Sequence, residues 1–247
     1  MKRFIYEELK KWKQSETRKP LMMYGARQVG KTYIIKEFGE QEYDSLVYVN
    51  CYKNDLAQTL FSGNADIDRI LVGLSSMAHN TIVPGKTLVF LDEIQEIPPI
   101  ISTLKYFCEN APEYHVAVAG SLLGITLHQG ESYPVGKVNT LNIQPMTYEE
   151  FLMAKGQKQM YEMLKNRQWD VVASMRSLYI QSLREYYFTG GMPEAVKKHL
   201  ETNDTVQVRE IQKEILLAYD KDISKHAPTN EAVRINQVWK SIPAQLA

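Results

Sequence analysis

The sequence is short of the residues that mark a secreted, membrane-spanning or zinc-binding protein. It has only two cysteines, Cys51 and Cys108, in 247 residues, which is too few for a disulfide framework. No run approaches the roughly 18 apolar residues of a membrane-spanning helix, and the N-terminus lacks the apolar core of a signal peptide. The five histidines show no paired metal-ligand spacing, so we expect no zinc site. These absences predict a cytoplasmic protein with reduced thiols and no membrane association.

The chain also lacks a net charge of either sign. Its 29 Lys and Arg residues balance 29 Asp and Glu residues. This balance argues against the strong positive field of an obligate nucleic-acid-binding protein, though not against a local basic patch. The content of 44% hydrophobic and 23% charged residues is ordinary for a globular chain. The length allows one domain or two small ones.

Residues 25–32 read GARQVGKT, the pattern of the phosphate-binding loop of nucleoside triphosphatases. Gly25 and Gly30 allow the backbone to curl so that its N–H groups face phosphate oxygens. We expect Lys31 to reach the β- and γ-phosphates and the Thr32 hydroxyl to bind Mg²⁺. The residues predicted to contact nucleotide here are Gly25, Ala26, Arg27, Gln28, Val29, Gly30, Lys31, Thr32 and Tyr33.

The context of the loop agrees with this interpretation. The motif requires a short apolar strand before the loop and a helix after it. An apolar run, Leu21–Tyr24, precedes the loop, and apolar residues at near-helical spacing follow it. We therefore expect a nucleotide-binding loop rather than a chance match.

A second motif, LVFLDE over residues 88–93, is an apolar strand followed by two acids, which is the Walker B pattern. Ligands bind at the carboxyl ends of strands in open α/β sheets, so we expect Asp92 to hold Mg²⁺ and Glu93 to polarise the attacking water. Lys31 and Glu93 are therefore the predicted catalytic residues. Gln95 stands where a GTPase usually has glycine, and no Asn-Lys-x-Asp motif follows, so ATP is favoured over GTP.

Strands alternate with helices as far as Pro145, which predicts an α/β fold with a parallel five-stranded sheet and helices on both faces. After Pro145 the apolar spacing becomes helical almost to the end of the chain, which predicts an α-helical subdomain broken at Gly190-Gly191 and in the Pro228 region. The predicted strands cover residues 21–24, 46–50, 87–91, 115–119 and 138–143.

The fourth predicted strand ends in Ala119-Gly120-Ser121. In ATPases whose Walker B acid lies on a strand not adjacent to the loop strand, this strand lies between the two motifs. Ser121 is then a candidate sensor of the γ-phosphate. The alternative is that Ser121 only caps a helix over residues 122–127.

Taken in order, GARQVGKT, LDEIQ, AGS, LNIQPMTYEEF and GGMPEA resemble the AAA+-related ATPases described as archaeal-type or prokaryotic AAA ATPases, near the signal-transducing STAND branch. The resemblance covers nearly the whole chain. It implies an ATP–Mg²⁺ site, a helical lid after the sheet, and a Gly-x-Pro element at Gly191-Met192-Pro193. Pro193 of that element is expected to pack near the nucleotide. Arg176 and Arg184 are candidate lid arginines, whereas Ser121 departs from the arginine that often ends the fourth strand in STAND sensors.

Members of this family typically continue beyond 247 residues with a winged-helix-like segment and a nuclease-like domain, so we expect a truncated chain. The resemblance predicts a P-loop AAA+ domain over residues 1–150, a helical lid over 151–228, and the start of the winged-helix-like segment over 229–247. The predicted function is an ATP-binding and Mg²⁺-dependent ATP-hydrolysing switch of AAA+ or STAND type. Two alternatives remain open: a nucleic-acid-associated ATPase module, supported only by basic clusters at 197–199 and 221–226, and a nucleotide-binding scaffold without hydrolysis.

Overall fold

The computed structural model describes residues 1–121, 134–226 and 231–245. The chain divides into two compact units, residues 2–145 and 146–247. Among the described helices, none is both long enough and apolar enough to cross a membrane. Cys51 and Cys108 are both free thiols.

The first unit is built on a five-stranded sheet. Its strand order is β2-β3-β4-β1-β5, and all four neighbouring pairs are parallel. The strands are β1 (Leu21–Gly25), β2 (Ser45–Asn50), β3 (Thr87–Asp92), β4 (His115–Ser121) and β5 (Asn139–Ile143). The flanking helices are α1 (Ile5–Gln14), α2 (Lys31–Glu42), α3 (Asp55–Ser62), α4 (Ile67–Ala78) and α5 (Pro99–Asn110). The predicted parallel α/β fold is confirmed, and β4 lies between the loop strand β1 and the Walker B strand β3, as predicted.

The burial pattern explains why the sheet could be predicted. All six residues of β3 are buried, and its sequence carries four apolar residues in a row, Leu88–Leu91, rather than an alternating pattern. Phe90 of β3, Phe38 of α2 and Phe107 of α5 are all almost completely buried. Each such side chain stabilises the fold by roughly 1.5–3 kcal/mol relative to exposure in water.

Two helices of this unit begin at polar residues whose side chains cap them. The Asn54 side chain accepts a hydrogen bond from the Ala57 amide at 3.0 Å, at the start of α3. Asp66 accepts from the amides of Asp68 and Arg69 at the start of α4. These caps satisfy backbone N–H groups that have no partner within the helix.

The second unit is helical throughout its described part, which confirms the predicted change after Pro145. Its helices are α6 (Tyr148–Ala154), α7 (Lys158–Lys165), α8 (Trp169–Ser174), α9 (Arg176–Thr189), α10 (Pro193–Thr202), α11 (Thr205–His226) and α12 (Ala232–Gln245). Met146, Phe151 and Val196 form one buried cluster, and Leu152, Met160 and Tyr179 form another.

A break predicted at Gly190-Gly191 is present between α9 and α10. Gly190 has a φ of 72° and ends α9, and Pro193 is the first residue of α10. Proline suits this position because the first helical N–H has no partner within the helix. The second predicted break, at Pro228, lies outside the described residues.

Candidate nucleotide-binding site

The loop between β1 and α2 has the backbone of an anion cradle. Gln28 and Gly30 adopt left-handed conformations, with φ of 63° and 93°. Left-handed residues within a short turn direct successive N–H groups to one side. Helix α2 then begins at Lys31 without a side-chain cap and without an acidic residue in its first turn. The positive end of the helix dipole therefore favours an anion at this point.

Gly25 is required by a close approach between neighbouring strands. A Cβ atom at this position would lie 2.3 Å from the carbonyl oxygen of Ile143 on β5. Two backbones this close leave no room for a side chain, so only glycine fits at the end of β1. The sequence pattern identifies Gly25 from the curvature of the loop alone. The structure adds a second requirement for glycine, which is the close packing of β1 against β5.

Lys31 lies folded against the loop that it follows. Its Nζ donates to the carbonyl oxygens of Gly25 and Ala26 at 3.0 and 2.8 Å, and the residue is buried. These bonds hold a positive charge inside the curve of the loop, where phosphate oxygens would compete with the two carbonyls for its protons.

Arg3 contacts the same loop from outside, and sequence reasoning missed it. Its guanidinium donates to the carbonyl oxygen of Val29 at 3.0 Å and to that of Gln144 at 2.6 Å. Arg3 is buried, although it precedes α1 among other charged residues at the N-terminus. No local pattern distinguishes it from a solvated arginine, because both of its partners are distant in sequence.

The phosphate loop and the Walker B strand meet through Thr32 and Asp92. Thr32 Oγ1 donates to Asp92 Oδ2 at 2.6 Å. The Asp92 Oδ1 atom accepts from the backbone amide of Glu93 at 3.0 Å, and the Tyr48 hydroxyl lies 3.4 Å from Oδ2. Two residues predicted from separate motifs are therefore neighbours across the end of the sheet.

The surroundings of Asp92 favour a cation. Asp92 is only 3% exposed, and this burial raises the pKa of its carboxyl group, as does the charge of Glu93, while the hydrogen bonds from Thr32, Tyr48 and the Glu93 amide oppose that rise. Burial also raises the pKa of the Tyr48 hydroxyl to about 12, with a further contribution from Asp92. A cation beside Asp92 would offset the cost of burying its charge.

The donor set at this point fits Mg²⁺. Thr32 and Asp92 offer hard oxygen ligands at the carboxyl edge of the sheet. Within the described residues, no three His, Cys, Asp or Glu side chains cluster as a metal cage. Mg²⁺ suits such a site because it is usually held by one or two carboxylates together with substrate phosphates and water.

Glu93, the second acid, has an unusual backbone. Its φ of 56° and ψ of 43° are left-handed, and it immediately precedes a short 3₁₀ helix, Ile94–Glu96. A residue other than glycine in this region costs on the order of 1–3 kcal/mol, and such residues concentrate at functional sites. The Gln95 side-chain amide donates to Glu93 Oε2. Sequence reasoning used Gln95 only to exclude a GTPase and missed this contact.

The remaining predicted residues are placed as follows. Ser121 ends β4 in register with Gly25, and only its backbone is described, while the helix predicted over 122–127 lies outside the described residues. Tyr33 is 60% exposed, and its hydroxyl lies 3.3 Å from Glu37 along α2. Pro193 belongs to the helical unit.

Comparison with known proteins identifies the family of the first unit. A family model described as an AAA domain matches residues 17–152, just over half of the chain, and a domain of unknown function, DUF8612, matches residues 180–247. No curated protein matches the chain.

One solved structure agrees on the fold, and a second shows a weaker likeness. The Walker-type ATPase PABY2304 of Pyrococcus abyssi is 14% identical with a TM-score of 0.52, over 97% of this chain and 76% of that chain. The ORC1 protein of Aeropyrum pernix, solved in complex with DNA, is 16% identical with a TM-score of 0.40, over 62% of this chain and 47% of that chain, and this likeness is too weak to carry an argument. The AAA domain match and the phosphate loop lead to one conclusion: the chain belongs to the AAA domain family and is a P-loop ATPase.

Proposed function

We propose that the protein is a Mg²⁺-dependent, ATP-hydrolysing switch of AAA+ or STAND type. The observation that carries the proposal is the 2.6 Å hydrogen bond between Thr32 and Asp92, which joins the phosphate loop to the Walker B strand. ATP rather than GTP is the proposed substrate because the guanine-reading motif is missing from the sequence.

The proposed roles follow from chemistry and placement. The N–H groups of residues 25–33 and the Lys31 ammonium bind the phosphates. Thr32 and Asp92 would hold Mg²⁺, which supplies charge neutralisation at the phosphates when bound. Glu93 accepts a proton from the attacking water while the water oxygen bonds to the γ-phosphorus and ADP leaves.

The helical region is the proposed lid, over residues 151–228. In this proposal Pro193 packs against the nucleotide, Ser121 senses the γ-phosphate, and Arg176 or Arg184 contributes a charge. The break between α9 and α10 supports the assignment, because Gly190 ends one helix sharply and Pro193 starts the next. The boundaries at 150 and 228, and a winged-helix-like segment from 229, stay predictions.

Glu93→Gln tests the proposed hydrolysis. The substitution keeps the size of the side chain but removes its ability to accept a proton, so we expect kcat to fall by roughly 10²–10⁴-fold. ATP affinity measured by calorimetry should stay within about twofold, because Glu93 is not among the phosphate-binding residues.

The matched control is Glu96→Gln, the same chemical change at the end of the same turn. We expect Glu96→Gln to keep the parent kcat. Parent-level turnover in Glu93→Gln would overturn the proposed role of Glu93. Absence of turnover in the parent at saturating Mg²⁺ would favour the non-hydrolysing scaffold.

The nucleic-acid alternative gains little from the described residues. In the cluster at 197–199, Lys197 lies 3.8 Å from Glu201 and His199 is buried, so the cluster does not present three solvated positive charges. The side chains of residues 224–226 in the second cluster are outside the described part. Binding to nucleic acid stays a prediction, and a steep fall of DNA affinity with salt concentration would support it.

A further inference from the structure

The turn after β3 fixes Gln95 beside Glu93. The amides of Glu96 and Ile97 donate to the carbonyl oxygens of Glu93 and Ile94 at 3.1 and 3.0 Å. Ile94 and Ile97 are buried in the core of the α/β unit, so the turn is anchored on the sheet. Gln95 lies between them and is only 4% exposed. Its side chain therefore has a restricted position.

The buried amide of Gln95 contacts one oxygen of the Glu93 carboxylate. Gln95 Nε2 donates to Glu93 Oε2, and within the described residues no other side chain hydrogen-bonds to that carboxylate. Because hydrogen-bond donors approach a carboxylate oxygen along preferred directions, this bond restricts rotation of the group. The Oε1 atom keeps its capacity to accept a further proton or hydrogen bond.

The neighbouring acid has a separate set of partners. Asp92 accepts from Thr32, from the backbone amide of Glu93 and, at 3.4 Å, from the Tyr48 hydroxyl. The two acids are therefore oriented independently. A change at Gln95 should affect Glu93 while leaving the contacts of Asp92 in place.

We propose that Gln95 is a positioning residue for ATP hydrolysis, holding the Glu93 carboxylate so that Oε1 faces the attacking water. The inference rests on the proposed function, in which Glu93 accepts the proton of that water. As the proton moves to Glu93, the water oxygen bonds to the γ-phosphorus and the bond to the β-phosphate oxygen breaks. Gln95 acts through Glu93 and itself transfers no proton.

Gln95→Met tests this role, because methionine has nearly the same length and no hydrogen-bond donor. We expect kcat to fall by about ten- to a hundredfold, as for a misplaced catalytic group. The KM for ATP and the calorimetric Kd should stay within about twofold, since the phosphate-binding residues are unchanged. Gln58→Met, the same change on the exposed face of α3, should keep the parent kcat.

A second variant and a double variant make the test decisive. Gln95→Asn keeps a polar amide in the buried position, so it provides the test if Gln95→Met fails to fold. Its side chain is one methylene shorter and holds Glu93 less well, so this variant should also lower kcat. In the Glu93→Gln background, Gln95→Asn should cause no further loss, because the group that it positions is already inactive. A kcat within about twofold of the parent in the folded Gln95 variants, or an independent further loss in the double variant, would overturn the inference.

The two proposals fail in different ways. Full turnover in Glu93→Gln would remove the proposed catalytic role and this inference with it. Loss of turnover in Glu93→Gln together with parent-level kcat in both Gln95 variants would overturn the positioning role alone.

Discussion

At the scale of single residues, burial changes the protonation of His115. His115 begins β4, is buried, and lies with its Nδ1 atom 2.7 Å from the Tyr43 hydroxyl. The Trp12 and His115 rings pack at an angle of 68° to each other, with their centroids 6.0 Å apart. Burial lowers the pKa of His115 to about 4, with further contributions from the charges of Arg18 and Lys13. His115 is therefore neutral in the native protein at about pH 5, where an unfolded chain would protonate it.

We predict that His115 makes the protein less stable as pH falls. In the unfolded chain its pKa is about 6.5, so between that pH and about 4 the unfolded state binds a proton that the folded state does not. The contribution of His115 should lower the free energy of unfolding by about 1–2 kcal/mol on going from about pH 7 to about pH 5. Urea unfolding at the two pH values measures this difference.

His115→Gln should remove that part of the pH dependence. The matched control is His79→Gln, the same substitution at an exposed position at the end of α4. An unchanged difference between the two pH values in His115→Gln would contradict the prediction.

Single residues of the site divide into those that a local pattern reveals and those that it does not. Lys31, Thr32, Asp92 and Glu93 were identifiable because fixed spacing places them at the carboxyl ends of strands. Three further residues of the site could not be identified in this way: Arg3, Tyr48 and Gln95. Arg3 and Tyr48 contact segments that are distant in sequence, and Gln95 lies in a turn that has no sequence signature. The roles of the predicted site residues stay proposals until they are tested.

At the scale of elements, the start of α6 shows how a short helix is defined. The Thr147 hydroxyl accepts from the Glu150 amide at 3.3 Å, and the Glu150 carboxylate accepts from the Thr147 amide at 3.1 Å. This reciprocal capping box satisfies two backbone donors at once. Phe151 and Leu152 of the same helix then enter the two buried clusters of the helical unit.

We predict that Thr147→Ala lowers the free energy of unfolding by about 1 kcal/mol, because one amide loses its cap. Chemical denaturation followed by circular dichroism measures the change. Thr205→Ala, at the exposed start of α11, should stay within about 0.5 kcal/mol of the parent. Equal effects of the two substitutions would show that capping does not account for the loss.

The elements of the α/β unit were predictable because their signals are local. Buried strands read as apolar runs, and Asn54, Asp66 and Pro99 mark where helices begin. The individual helices after Pro145 were not resolved from the sequence. Apolar residues recur at helical spacing through all of these helices. Short connections, such as the one between α7 and α8, do not visibly interrupt that spacing.

At the scale of the whole molecule, nucleotide binding should appear as stability. We predict that Mg²⁺-ATP at about 100 times its Kd stabilises the folded chain by about 2.7 kcal/mol, which corresponds to a rise in Tm of about 5–10 °C for a chain of this size. Differential scanning fluorimetry measures the rise.

Lys31→Ala should abolish most of that rise, because it removes a buried ammonium that is proposed to bind the phosphates. ATP with a chelator should stabilise the parent less than ATP with Mg²⁺. An equal rise in Lys31→Ala and the parent would mean that the nucleotide binds elsewhere.

Because the backbone at Glu93 is left-handed, a substitution there can raise the stability of the fold while it lowers the proposed ATPase activity. Glycine or asparagine adopts this conformation more readily than glutamate, so either replacement relieves part of the backbone cost. Each would also delete the carboxylate that the proposed reaction needs. A library screened only for heat resistance should therefore enrich inactive proteins at position 93, and an engineer who wants a hardier ATPase should keep that codon fixed.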